Sequence, residues 1–243
     1  MRKVAIFTEG QGEQIFVCEL LLRVVSYEVA LSIQCLQLRA GNFQKARPNY
    51  PNPNSTVHYL IVDVGNDEKV ISAISERHEN FIRIGYDVII GLRDMYSDAY
   101  RRRSSSKIDD SVTNSFISKH NETIQGMSNP DKIFIFFAIM ELESWLLSMY
   151  RLLERFNPTL NCEHIERELG FDLSKINPET KFFHPAKHLA NILLLAGKTY
   201  KKSKDQMESI LSNMIREDID DALEEGRRSK SFALFLSKIR SVS

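Results

Sequence analysis

The sequence lacks most of the features that assign a chain on sight. It has no net charge, because 32 lysines and arginines are matched by 32 aspartates and glutamates. A protein that coats nucleic acid through bulk charge is thereby excluded, and any phosphate contact must come from local patches. The three cysteines, Cys18, Cys35 and Cys162, are odd in number and scattered, so they form neither a disulfide framework nor a zinc knuckle. Cys18 and Cys35 stand among apolar residues and read as core. No apolar run approaches the roughly 18 residues that a bilayer span requires. Arg2 and Lys3 are followed by only a short apolar stretch before Glu9, which argues against a secretory leader and makes the cytoplasm the expected compartment. Internal repeats and low-complexity segments are missing as well.

What is present is an ordinary globular balance, 43% hydrophobic and 26% charged, enough to bury a core. Five short runs rich in β-branched or aromatic residues read as strands: Val4–Phe7, Ser32–Leu38, Val57–Val64, Val88–Leu92 and Lys132–Ile139. Helical patterns separate most of them, over Glu13–Tyr27, Asp67–Ile84, Asp110–Gly126 and Glu141–Phe156. The segment Ala40–Thr56, with three prolines and four asparagines, reads as a loop. Alternating strands and helices predict an α/β fold with a mostly parallel sheet flanked by helices. Beyond Phe156 the pattern turns helical, over Cys162–Leu169, His184–Ala196, Lys204–Asp220 and Ser231–Ile239. Phe232, Phe235, Leu236 and Ile239 repeat at i, i+3, i+4 and i+7, one face of a helix. The expected division is an α/β domain over 1–156 and a helical cap over 157–243.

The ends of three strands carry acids. The first run leads through Thr8 to Glu9 and a glycine turn, with Glu13 four residues on. Val88–Leu92 leads to Asp94 and then Asp98, and Lys132–Ile139 to Glu141 and Glu143. Parallel strands bring such ends to one sheet edge, where ligands of α/β folds bind. Carboxylates gathered there repel one another unless a cation lies between them, and Mg2+ prefers carboxylate oxygen. Alternatively each acid serves the positive end of its own helix. Two basic patches, Arg101–Arg102–Arg103 and the lysines from Lys198 to Lys204, are candidate phosphate contacts or solvated surface. His184 and His188 have a zinc-compatible i, i+4 spacing but no attendant cysteine or acidic pair. Trp145, beside Leu146 and Leu147, reads as a core anchor.

Glu-Gly-x-x-Glu after a first strand, aspartates after a central strand and Glu143–Ser144–Trp145–Leu146–Leu147 after the next resemble a TOPRIM (topoisomerase–primase) domain. More closely, the chain resembles a small bacterial TOPRIM-like family of unknown function, distantly akin to the nuclease half of OLD (overcoming lysogenization defect) proteins. The glycine turn of Asp63–Val70, His184–Leu189, Tyr200–Lys202 and Ser229–Phe235 follow that family's blocks in order and spacing. The resemblance implies a metal-dependent role with Mg2+ or Mn2+. Glu9 would be the TOPRIM glutamate, a ligand or general acid/base, and Asp94 the first aspartate of Asp-x-Asp. The sequence departs at the second, where Tyr96 stands and the next carboxylate is Asp98. Glu13, Asp98, Glu141 and Glu143 complete the candidate metal ligands. Lys201 or Lys202 would supply a transition-state cation, with Lys201 and Arg101, Arg102 and Arg103 as nucleic-acid contacts.

Two functions of different class follow. One is Mg2+- or Mn2+-dependent hydrolysis of a nucleic-acid phosphodiester, in defence against mobile elements, with a partner ATPase or a second copy of the chain as further partners. The other is an inactive TOPRIM-like module that binds a nucleotide or a partner ATPase, which the neutral charge and the missing second aspartate favour. A phosphoryl enzyme acting on a small substrate is a third reading, because fold alone does not choose among them.

Overall fold

The computed structural model describes residues 1–66, 69–223 and 229–243. The strands are β1 (Arg2–Thr8), β2 (Leu31–Arg39), β3 (Asn42–Lys45), β4 (Val57–Asp63), β5 (Val88–Asp94) and β6 (Ile133–Ala138). They form one sheet in the order β3-β2-β4-β1-β5-β6. β1 runs parallel to both β4 and β5, and β2 is parallel to β4. The helices are α1 (Gln11–Arg23), α2 (Lys69–Arg83), α3 (Asp98–Arg103), α4 (Asp110–Gln125), α5 (Glu143–Ser148), α6 (Tyr150–Phe156), α7 (Cys162–Leu169), α8 (Pro178–Lys181), α9 (Pro185–Leu195), α10 (Lys204–Leu211), α11 (Arg216–Leu223) and α12 (Lys230–Val242). The expected α/β class is therefore the one adopted: a mostly parallel sheet flanked by helices, followed by a helical C-terminal region. Among the described residues no helix is long and apolar enough to cross a membrane.

The chain divides into two compact units. A sheet unit comprises residues 1–93, 110–137 and 235–243, and a helical unit comprises 94–109 and 138–234. This runs differently from the expected division into 1–156 and 157–243, since α5 and α6 group with the later helices.

Within the sheet unit, β1 and β4 are nearly continuous apolar runs, as a strand covered on both faces requires. Val4 to Phe7 and Tyr59 to Val62 are all buried. α2 turns one apolar stripe inward, with Val70, Ala73, Ile74 and Phe81 buried. It packs where β5 has no side chain. A Cβ at Gly91 would lie 3.0 Å from Ile74 Cδ1, 3.1 Å from Val70 Cγ1 and 3.4 Å from Ile135 Cγ1. Residues from α12 also belong to this unit. Phe235 meets Phe136 edge-on, Arg240 pairs with Glu28, and Tyr59 shares a hydrogen bond with Ser243. Cys18 and Cys35 are fully buried, as expected of core residues.

Several expected elements differ. Ala40–Thr56 is not wholly a loop: β3 pairs antiparallel with β2, and Arg39 opposite Asn42 leaves a two-residue turn. Ala40 (φ +49°) and Gly41 (φ +83°) both take left-handed backbone, the requirement of a tight hairpin that Asn-Gly usually signals and Ala-Gly does not. The helix expected from Asp67 is described from Lys69; its start lies outside the described residues. The helix expected over Glu141–Phe156 begins at Glu143 and is interrupted at Met149. Neither glycine nor proline marks that break. The helix expected over Lys204–Asp220 divides into α10 and α11. Asn213 Nδ2 donates to the Ser209 carbonyl at 2.8 Å, and Asp218 Oδ2 accepts from the Ile215 N–H at 2.9 Å, side-chain competition that ends one helix and starts the next.

The close approach at Gly91 gives a stability prediction. Gly91→Val should lower the free energy of unfolding by about 2–3 kcal/mol through overpacking, and Gly91→Ala by less, since flexible side-chain ends can yield. Urea denaturation of the two variants checks the order.

Candidate active site

Within the sheet unit, Glu9 directly follows β1 and donates its backbone N–H to the Leu92 carbonyl at 3.2 Å. Glu13 is buried in the first turn of α1, where the helix dipole favours its charge. The two acids thus bracket the Gly10 turn at the end of a central strand, as expected from their spacing.

Within the helical unit a denser group is assembled. Asp94 ends β5 at 5 % exposure, and its Oδ1 accepts the Leu142 N–H at 2.8 Å. Met140 takes left-handed backbone (φ +63°), its carbonyl accepts the Tyr96 N–H at 2.7 Å, and the Glu141 N–H returns to the Ile139 carbonyl at 3.0 Å. That reversal presents Glu141 and, two residues later, Glu143. Glu141 Oε2 accepts the Ala186 N–H at 2.9 Å in the first turn of α9, and Glu143 is almost fully buried at the start of α5.

Lys202 answers these acids. Its Nζ lies 3.0 Å from Glu143 Oε2 and 3.4 Å from Glu141 Oε1. Lys202 also has left-handed backbone (φ +52°), which a residue with a Cβ adopts at a cost of about 1–2 kcal/mol. The neighbouring Tyr200 hydroxyl donates to Glu143 Oε1 at 2.8 Å. Gln206 sets the loop between α9 and α10. Its Nε2 donates to the Thr199 carbonyl at 2.6 Å, and its Oε1 accepts the Lys201 N–H at 2.7 Å.

Burial pushes the Glu143 carboxyl above its ordinary pKa, against the pull of Lys202 and Tyr200. For Lys202, burial acts downward, but Glu143, Asp94 and Glu141 together raise it, so the ammonium stays charged. The group as a whole is a set of oxygen donors around one fixed positive charge.

Other expected site residues lie apart from it. Asp98 is 70 % exposed in the first turn of α3, where it pairs with Arg101. The assignment of Asp98 as a metal ligand is therefore corrected: the turn after β5 directs it to its own helix end. The Arg101 guanidinium also lies over the Tyr96 ring, while Arg102, Arg103 and Lys201 are exposed. His188 stacks on Phe182 at 3.9 Å, and His184 packs edge-on to Tyr96, so the pair serves packing. Trp145 is fully buried as expected, and its Nε1 donates to Glu179 Oε1 at 3.1 Å and to Ser231 Oγ at 2.8 Å.

Tyr200 and Gln206 are functional candidates that sequence reasoning missed. Tyr200 stands in a block that the resemblance singled out for its lysines, and nothing in a tyrosine or a glutamine by itself signals a carboxylate partner or a loop clamp. Among the described residues no three His, Cys, Asp or Glu side chains are grouped so as to hold a metal ion. Comparison with protein-family models, curated proteins and solved structures finds no match.

Replacing the lysine tests this electrostatic account. Lys202→Met leaves Glu143 buried without its cation. A fully buried broken pair costs about 3–5 kcal/mol, and because Lys202 is 44 % exposed we expect roughly 1–2 kcal/mol. Burial holds the folded-state pKa of Glu143 above its unfolded value. Stability from that group is therefore present at low pH and lost as pH rises. Without Lys202 the loss should steepen over the range from the ordinary carboxylate pKa upward. Urea titrations across this range measure it, and Lys202→Met/Glu143→Gln should restore stability and flatten the pH dependence.

Proposed function

We propose that the chain is a metal-dependent phosphodiester hydrolase acting on nucleic acid, a TOPRIM-like enzyme. The observation that carries this reading is Lys202, held beside Glu143 and Glu141 in the field of Asp94 by a strained, clamped loop. Phosphoryl transfer needs little covalent chemistry from a protein and depends on positioned positive charge next to acidic ligands.

The donor chemistry fits Mg2+ or Mn2+, since every candidate is a carboxylate oxygen. Glu143 Oε2 is buried and faces the Lys202 ammonium at 3.0 Å, a contact that an incoming ion would share or displace. Glu141 and Glu143, which share Lys202, would meet the metal, two carboxylates being what Mg2+ usually takes from a protein, and Asp94 adds negative charge near Lys202. When bound, it supplies polarisation of the phosphate and a lowered pKa for the attacking water. The chain's own contributions are separable. The Leu142 N–H fixes the Asp94 carboxylate, Tyr200 orients Glu143, and Lys202 places an ammonium where charge builds on phosphate oxygen. Glu9, in the sheet unit, enters the reading through the sequence resemblance alone.

The test is cleavage of labelled single- and double-stranded DNA and RNA with Mg2+, with Mn2+ and with a chelator. The wild type should cut only with a divalent ion. Asp94→Asn should lower cleavage by about 10²-fold or more, and Lys202→Ala by about 10²–10³-fold, with both proteins folded. Glu9→Gln should act like Asp94→Asn; equal activity in that variant and the wild type removes Glu9 from the assignment. Tyr96 in place of a second aspartate favours the binding-module reading, which predicts no turnover with any ion and measurable affinity for a nucleotide or partner.

A further inference from the structure

The loop that ends in Lys202 begins in a cleft. This cleft, about 460 Å³, belongs to the same helical unit and is floored by Phe156, Leu193 and Ile210. Leu193 and Ile210 are buried, and Phe156 closes α6 with part of its ring open to solvent. Lys198, Asp205 and Gln206 form the polar rim. The Lys198 ammonium sits 4.2 Å from the centroid of the Phe156 ring. An exposed lysine on an aromatic face is held weakly, and a flat ligand can displace it.

Three features point to a nucleobase. An aromatic face beside apolar side chains is a stacking platform for any base. The rim offers a carboxylate and an ammonium, one to accept from an exocyclic amine and one to meet a phosphate. Its volume also accommodates a nucleoside. The fourth observation links the cleft to the acids. Gln206 lines it and spends both ends of its amide on the backbone of Thr199 and Lys201, so one side chain fixes the loop on its way from cleft to Lys202. Lys198 and Lys202 are four residues apart, at most about 14 Å between Cα atoms in extended chain, a span that a dinucleotide covers.

We infer that this cleft is the subsite for an unpaired base flanking the phosphate at Lys202. The base stacks on Phe156, and Lys198 moves from the ring to the neighbouring backbone phosphate. The inference rests on the hydrolase reading for its substrate class and adds a requirement: the flanking nucleotide is single-stranded, because a paired base cannot reach the ring.

The experiment is a cycle between protein and strand. Fluorescence anisotropy measures the Kd of labelled single strands with Ca2+ replacing Mg2+, and a gel checks that they stay intact. Strands carry one abasic nucleotide at each position in turn, and the proteins are wild type, Phe156→Leu and Lys198→Gln. One abasic position should weaken wild-type binding about tenfold, within the range for a base stacked on an aromatic ring. Phe156→Leu should bind the intact strand about tenfold more weakly and show no further penalty at that position. Lys198→Gln, changed at an exposed site, should keep the abasic penalty and reduce the salt dependence of binding. Equal Kd values for all abasic strands with wild type, or the same abasic penalty in Phe156→Leu, overturn the subsite while leaving any cleavage activity standing. Base-dependent binding without turnover in Mg2+ or Mn2+ sinks the hydrolase reading and keeps the subsite. A wild type that binds no strand removes both.

Discussion

A carboxylate at 2 % exposure must be answered by charge or by hydrogen bonds, and Glu143 is the point at which the helical unit meets that demand. Lys202 supplies the charge and Tyr200 the hydrogen bond, both from one loop. The loop pays for this in backbone conformation, because Lys202 occupies a region that disfavours a Cβ. Gln206 at the start of α10 holds the loop there from its two sides. The chain order of acid, tyrosine, lysine and glutamine is thus a single mechanical arrangement spread over more than sixty positions.

The same unit meets a second buried carboxylate with neutral donors among the described residues. Glu179 accepts from the Trp145 indole, from the Ser229 and Ser231 hydroxyls and from the Ser231 N–H. Several neutral donors fix a geometry, which suits a joint between α5, α8 and the start of α12. Glu143, by contrast, faces a lysine that can exchange partners. Two nearly adjacent positions, Glu143 and Trp145, therefore lead to different kinds of structure: one a polarised site, the other a locked corner that Phe232 completes at 5.0 Å from the Trp145 ring.

The sheet was legible because buried parallel strands are written as continuous apolar runs, and all five expected runs became strands. The amphipathic stripe of α12 was legible for a similar reason: Phe232, Phe235, Leu236 and Ile239 are all buried. β3 was hidden because its four residues are exposed and its turn uses Ala40 where a more telling residue could stand. The break at Met149 was hidden because buried apolar residues on both sides give a pattern with no single face. In the candidate site, acids after strands were visible from sequence, and so was the lysine pair. That Lys202 rather than Lys201 meets the carboxylates follows from the left-handed backbone at 202, which nothing in two adjacent lysines announces. Asp98 was misread for a related reason: strand order says where an acid leaves the sheet, and the following turn decides where its side chain goes.

The chain passes from the sheet unit to the helical unit or back at 93/94, 109/110, 137/138 and 234/235. Neither unit is a continuous stretch that could be copied, fused or lost as a cassette. Residues 235–243 hold Arg240 and Ser243, which reach Glu28 and Tyr59 in the sheet unit. Partners separated by 184 and 212 positions in the chain thus touch directly, so damage confined to 235–243 would be felt at β4 and at Glu28 within the same unit.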